Sequence, residues 1–414
     1  LIPEFPAQTH DFFWRERSQL KTLGHEVDIF TTGDPPPALR ARHDWVPEAS
    51  TYTYRLIPTR LSDLIETAHE ILRIGPKGWK RVVSCFFYSE APSWRERFRL
   101  AAAVLLGARL AAASRRMGID HVHVHSCANS ANVALFANRL SGLSYSLTLH
   151  NPLSVYGPNQ ARKWRNASFC VVITEKIRGE IEQQLEGALP PRLFVAPMGV
   201  DETYFRRDRP YREYDGRGRF RIFSCSRLHP CKGIDDLIRS VATLVADGVD
   251  AELYLAGADD VGGSHERSLR ELGATLEITD RIHLLGSCST SRILDELQRA
   301  HAFALLSHAE PLGIAIAEAM AVELPVVATW DGGVPEMVTD GVSGLLVPPF
   351  SPDYAAAALA RIASEAGLGT SLGINARDVV VKSFRSERSA GAISAGVAGA
   401  AVICPDGARA WSAS

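Results

Sequence analysis

A chain of 414 residues that is 46% hydrophobic and 22% charged can fill two or three ordinary cores, which excludes wholesale disorder, a fibrous repeat and a disulfide-stapled miniprotein. The net charge of -2 hides an asymmetry: residues 1–200 hold 24 Lys+Arg against 18 Asp+Glu, and the remainder holds 21 against 29, so the halves present different surfaces. No apolar run approaches the ~18 residues of a membrane span, because the best stretch, 101–113, carries Arg109. The chain opens on Leu1-Ile2-Pro3 in what reads as a strand cut partway, so residues are expected to precede it. Residues 12–23 predict a helix with Phe12, Phe13, Leu20 and Leu23 on its apolar positions, stopped by Gly24. The alternation at 25–31 predicts a strand, as do 121–126, 145–150 and 169–174, with helical stretches between.

The βαβ rhythm restarts at 220–224, runs through a helix at 235–247, and continues with strands at 251–256, 282–285, 302–306, 325–329 and 344–347. Such a series predicts an α/β protein with two Rossmann-like doubly wound parallel sheets. The boundaries fall at 1–195 for the first domain, 196–217 for a linker rich in Pro, Arg and Asp, and 218–385 for the second; 386–414, small and Gly-rich, is expected to be a loosely ordered tail. Parallel sheets bind ligands at the carboxyl ends of their strands, so function is expected in the cleft between the domains.

The densest chemical signal is Glu310-Pro311-Leu312-Gly313-Ile314-Ala315-Ile316-Ala317-Glu318. Pro311 and Gly313 forbid a helix before Ile314, which places Glu310 on a loop and Glu318 a turn inside the helix. The free amides of Gly313, Ile314 and Ala315 then form an anion site for a pyrophosphate. Taken alone, the pattern is better explained by two solvated acids on a helix. Arg227 and Lys232, on the loop after strand 220–224, can reach the same anion, Arg as a fork and Lys as a point charge. Two cations facing a diphosphate leaving group stabilise the transition state electrostatically.

These residues resemble the retaining, nucleotide-sugar-dependent glycosyltransferases of the two-Rossmann GT-B type, specifically family 4. The resemblance runs in order through Pro197-Met198-Gly199-Val200-Asp201, Arg227, Lys232-Gly233, 253–257, Leu285-Gly286, 310–318, 324–329, Gly332-Gly333-Val334-Pro335-Glu336 and Gly344-Leu345-Leu346-Val347-Pro348-Pro349. A looser match covers Pro3-Glu4-Phe5-Pro6, Gly24-His25-Glu26-Val27, His121-Val122-His123-Val124-His125 and Thr148-Leu149-His150, and is most similar to enzymes of bacterial exopolysaccharide assembly. The resemblance implies that His150 lies near the donor sugar at the reacting face, that Glu310 positions that sugar, and that Glu318 holds the ribose. It also implies that Arg227, Lys232 and the amides at 313–315 take the diphosphate, with Gly199 and Gly257 as further donor-site positions. No resident metal or cofactor is implied. Histidines 121, 123 and 125 at period two suggest zinc, but the family carries similar histidines on this strand and structural or acceptor-side roles are expected.

Three departures stand out. No Gly-Gly pair follows Pro6, Glu323 stands where the family has Gly after its helix, and the final segment lacks the amphipathic helix that crosses back to the first domain. Between residues 73 and 99, Arg73, Lys77, Lys80, Arg81, Arg95, Arg97 and Arg99 interleave with Trp79, Phe86, Phe87, Tyr88 and Trp94, against only Glu90 and Glu96. Such a patch suits an anionic lipid surface, or else a solvated hairpin with its aromatics packed inward; no nucleic-acid module is visible.

The reading is a retaining glycosyltransferase moving a sugar from a UDP- or GDP-sugar to a hydroxyl of a saccharide or lipid-linked acceptor in bacterial polysaccharide biosynthesis. A sugar-nucleotide epimerase of the same fold and a non-catalytic nucleotide-sugar-binding module are the alternatives. Seven cysteines without CxxC spacing suit a reducing cytoplasm, with a peripheral place on the inner face of the plasma membrane as the further expectation.

Overall fold

The computed structural model describes residues 1–37, 40–259 and 262–399. The first domain is built on strands β1 (Ile2–Glu4), β2 (Ile29–Gly33), β3 (Thr53–Arg55), β4 (His121–Val124), β5 (Ser144–Leu149), β6 (Cys170–Val172) and β7 (Leu193–Val195). They form two parallel sheets, β1-β2-β3 and β4-β5-β6-β7. The His125 N–H donates to the Leu1 carbonyl at 3.1 Å, which ties the edge of β1 to the end of β4. The alternation in β4 has a direct consequence. Val122 and Val124 enter the core, while His121 and His123 lie across from Ser144 and Ser146 in register.

The second domain carries one six-stranded parallel sheet in the order β10-β9-β8-β11-β12-β13. Its strands are β8 (Phe220–Cys225), β9 (Ala251–Ala256), β10 (Ile282–Gly286), β11 (Ala302–Leu305), β12 (Val326–Thr329) and β13 (Leu345–Val347). The order reverses between β8 and β11, where ligand crevices of doubly wound sheets open. Phe220, Phe223 and Phe303 are wholly buried there, each contributing on the order of 1.5–3 kcal/mol by leaving water. Among the described residues no helix is long and apolar enough to cross a membrane.

The expected loose tail is corrected for its described part. Residues Glu387–Ala398 form a helix that crosses back onto the first domain, packing on helix Asp11–Thr22 and β6. Its small residues are a packing requirement, not a sign of disorder: a Cβ at Gly396 would stand 2.5 Å from the Phe169 ring. Ala390, Ala392 and Ile393 join Leu20, Phe169 and Val171 in one apolar cluster, and His25 Nε2 meets Ser394 Oγ at 2.8 Å. Positions 400–414 of the expected tail lie outside the described residues.

The two chain crossings between the domains lie side by side. Val200 N–H donates to the Phe384 carbonyl at 2.8 Å, and Ser386 N–H donates to the Val200 carbonyl at 3.0 Å. Glu323, in place of the family's Gly, takes the left-handed conformation at φ 57°, which costs an L-residue about 1–2 kcal/mol.

Candidate active site

Residues 306–313 link β11 to helix Ile314–Ala321, and the backbone reaches φ 90° at Gly313, which starts the helix there. The Glu310 loop rests on Gly332 and Gly333. A Cβ at Gly332 would fall 1.8 Å from the Glu310 carbonyl oxygen, and Gly333 N–H donates to that oxygen at 3.0 Å. Only glycines let the two loops approach this closely.

The Arg227 to Lys232 loop is brought in by two further close approaches. Gly233, at φ 61°, lies against the Leu306 carbonyl, and Gly257 lies against the Ser226 carbonyl, where Cβ atoms would stand 1.9 Å and 1.7 Å away. Lys232 Nζ consequently reaches Glu310 Oε2 at 2.7 Å, and Ser307 Oγ donates to the same oxygen at 2.9 Å. Glu310 is 8% exposed, so its charge is held by these two donors rather than by water. Arg227 is exposed at the mouth of the same loop. Gly257 thus shapes the cation loop.

Gly199 lies at the domain crossing, where a Cβ would meet the Arg385 backbone at 2.0 Å, so chain packing there requires glycine.

Glu318 is buried and pairs across the cleft with Arg15 of helix Asp11–Thr22, Nη2 to Oε1 at 2.8 Å; Arg15 is held in turn by Asp11 at 2.9 Å. Burial raises the Glu318 pKa above its ordinary value, with Arg15 opposing the rise. Sequence reasoning missed Arg15, because nothing in a helical Arg signals a partner 303 residues away. It also missed His308, whose Nε2 meets Asp236 Oδ2 at 2.8 Å beneath the stacked Phe350 ring.

His150 follows β5 and packs against Phe12 and Phe13 of the first helix, with ring centroids 5.7 Å away in each case. Burial, then the nearby His125 and His10, push its pKa well below the ordinary imidazole value, so it stands neutral. Asn151 Nδ2 donates to the Tyr156 hydroxyl at 3.2 Å. A cavity of about 80 Å³ between the domains brings Pro152, Thr174 and Lys176 against Glu310, Pro311 and Gly332. The loops carrying His150 and Glu310 therefore border one cleft. Its walls are tied together by Gln8 Nε2 donating to the Cys288 carbonyl at 2.7 Å, and by Glu336, which accepts from the Glu175 and Lys176 amides at 2.8 and 2.9 Å.

The three period-two histidines do not share a metal-binding geometry. His121 is bonded through both ring nitrogens to Ser144 and Ser146, and His123 to Ser146 and Thr148, each at 2.7 Å. Among the described residues the one group close enough to hold an ion is Glu16, His123 and His125.

The 73–99 segment forms helices Gly75–Tyr88 and the start of Trp94–Met117. Of its aromatics Phe86 packs inward against the core, while Phe87 is 70% exposed, Tyr88 75% and Trp94 76%, beside exposed Lys77, Lys80, Arg81, Arg95 and Arg99.

Two parallel-sheet domains closed on a cleft, with a helix N-terminus and a cation loop at its second wall, define a GT-B architecture. Residues 14–204 match the family model for "Glycosyltransferase Family 4", and residues 214–379 match that for "Glycosyl transferases group 1". The chain belongs to the family 4 glycosyltransferases and is an enzyme of that class. A Mycolicibacterium hassiacum protein named MMP alpha-(1->4)-mannosyltransferase is 27% identical over 88% of this chain and 88% of its own length. A Salmonella typhimurium protein named "Putative colanic acid biosynthesis glycosyltransferase WcaL" is 32% identical over 50% of this chain, which spans only 51% of that relative. Among solved structures, an Anabaena protein, HepE, in complex with UDP and glucose superposes with a TM-score of 0.70 at 16% identity, over 96% of this chain and 98% of that one. At that identity the likeness speaks for the fold.

Proposed function

We propose that this glycosyltransferase transfers a sugar, with retention of anomeric configuration, from a UDP- or GDP-sugar to a hydroxyl of a saccharide or lipid-linked acceptor in bacterial polysaccharide assembly. The observation that carries this reading is the convergence of Lys232, Ser307 and Glu310 beside the N-terminus of helix Ile314–Ala321. An ammonium has three donors, so Lys232 can keep its bond to Glu310 and still give two to phosphate oxygens. Arg227 and the amides of Gly313, Ile314 and Ala315 supply the remaining donors to the diphosphate. Glu310 orients the donor sugar, Glu318 holds the ribose hydroxyls, and neutral His150 faces the reacting carbon. The bond from the anomeric carbon to the diphosphate breaks, and the acceptor oxygen takes that carbon from the same face. The acceptor's proton passes to the departing diphosphate oxygen, so no separate base is required. The solved HepE complex, whose ligands are UDP and glucose, supports the donor class by likeness of fold.

The test is a thermal-stabilisation screen of nucleotide sugars, followed by NMR of the first-formed product with an acceptor. Retained configuration is expected, and activity should survive EDTA because fixed cations meet the diphosphate. Inverted product, or loss on chelation restored by Mn²⁺ or Mg²⁺, would overturn the corresponding claim. For its place in the cell we propose the cytoplasm, peripheral on the inner face of the plasma membrane. The exposed aromatic and basic face of residues 73–99 supports this.

A further inference from the structure

Behind His150 runs a buried file of polar groups that the transfer chemistry above does not use. Glu16, on helix Asp11–Thr22, is 3% exposed, and its Oε1 lies 3.0 Å from His125 Nε2. The other ring nitrogen of His125, Nδ1, lies 3.3 Å from His150 Nε2. A carboxylate can only accept, so Glu16 Oε1 at 3.0 Å favours the proton of His125 on Nε2, which leaves Nδ1 as an acceptor toward His150. That acceptor in turn requires the proton of His150 on Nε2, and leaves Nδ1 of His150 as the ring's one lone pair. Phe13 packs against both rings, at 4.6 Å from His125 and 5.7 Å from His150, and closes the file from the side. Burying a carboxylate in such a place costs several kcal/mol unless it is paired and hydrogen-bonded.

We propose that Glu16 and His125 are positioning residues for His150, fixing its tautomer and ring plane so that Nδ1 is presented as a hydrogen-bond acceptor to a donor-sugar hydroxyl. The inference rests on the reading that His150 faces the reacting sugar. The same logic lets a buried carboxylate orient a working imidazole in other enzymes. A metal is the competing occupant, since Glu16, His123 and His125 stand close together and Glu16 Oε2 has no hydrogen-bond partner. The histidine nitrogens already face other groups, however. His123 has both nitrogens on hydroxyls, and His125 has Nδ1 on His150 and Nε2 3.0 Å from the Glu16 carboxylate. The other titratable groups facing the file are His10, ahead of the helix, and the Leu1 amino group, which donates to the His123 carbonyl at 2.5 Å.

The experiment uses the full chain, ¹⁵N-labelled at histidine, in the wild type, Glu16→Gln and His125→Phe. In the wild type, His150 should show the Nε2–H tautomer. In His125→Phe, its Nε2–H loses its acceptor and the tautomers should mix, with a drop in kcat of about ten-fold or more at little change in donor KM. Glu16→Gln, which keeps shape and loses charge, should show a smaller shift in the same direction. If His125→Phe does not fold, the wild-type tautomer and Glu16→Gln still decide. An Nδ1–H tautomer in the wild type, unchanged tautomers in both variants, or stoichiometric Zn²⁺ binding that moves the His123 and His125 signals would overturn the proposal. His150→Ala with wild-type kcat would instead overturn the underlying role of His150, while the tautomer measurement would still report on the file itself.

Discussion

Lys232 and Glu310, 78 residues apart, meet at 2.7 Å with side chains only 15% and 10% exposed. The pair couples the cation that would meet a phosphate to the carboxylate that would meet a sugar. Removing either leaves the other as a buried charge without its partner, a state that typically costs ~3–5 kcal/mol. Lys232→Ala should therefore destabilise the protein more than Lys232→Ala combined with Glu310→Gln. A urea double-mutant cycle should show a coupling of ~1–3 kcal/mol. Additive effects would mean that the pair carries no energy.

Loss of Lys232 or Arg227 should also weaken nucleoside diphosphate binding. A charge-assisted hydrogen bond is worth ~1.5–3 kcal/mol, roughly ten-fold or more in Kd. Calorimetry with UDP and GDP on Arg227→Ala, with its melting temperature measured alongside, separates binding from folding.

The two carboxylates of the 310–318 segment should split kinetically. Glu310→Gln is expected to lower kcat strongly with modest change in nucleotide affinity, and Glu318→Gln to act through donor KM and lose its effect at saturating donor. Glu310→Gln with wild-type kcat would remove Glu310 from the reaction.

Arg15 gives a pH prediction. Burial raises the Glu318 pKa above 4.5 in the folded state, so the native protein binds that proton more tightly than the unfolded chain does. The resulting stability is present below the unfolded pKa and is lost as pH rises through the folded one. Arg15 opposes the shift. Arg15→Met should therefore enlarge the loss, lowering the urea midpoint progressively from the acid side toward neutrality relative to the wild type. Parallel pH profiles of the two proteins would show that the ion pair is energetically silent.

The face carrying Lys77, Lys80 and Arg81 should pellet the protein with anionic vesicles at low salt and release it as salt rises, each cation adding ~1 kcal/mol. Changing the three to Glu should abolish sedimentation. Equal pelleting by that variant would reduce the patch to a solvated surface.

Local chemistry determined much of this protein without any tertiary information. Pro311 and Gly313 admit only one start for the following helix, and apolar patterns place the six strands of the second domain within a few residues, since backbone sterics act on neighbours, whereas the short first-domain strands Thr53–Arg55 and Leu193–Val195 carried too little pattern to be read. The fold class, and the approach of the Lys232 loop to the Glu310 loop, were legible for that reason. The tertiary structure alone decided what touches what across long separations. Glycine records permission for close approach but not the partner: Gly199 serves a chain crossing, Gly332 serves Glu310, and Gly396 serves Phe169. The helix at Glu387–Ala398 was illegible because its burial depends on a complementary surface rather than on an apolar stripe. Likewise, the pairing of Arg15 with Glu318 and of Glu16 with His125 follows from how helix Asp11–Thr22 lies against two separate elements. Charges that far apart in the chain acquire partners only when packing excludes water and leaves one place for them to go.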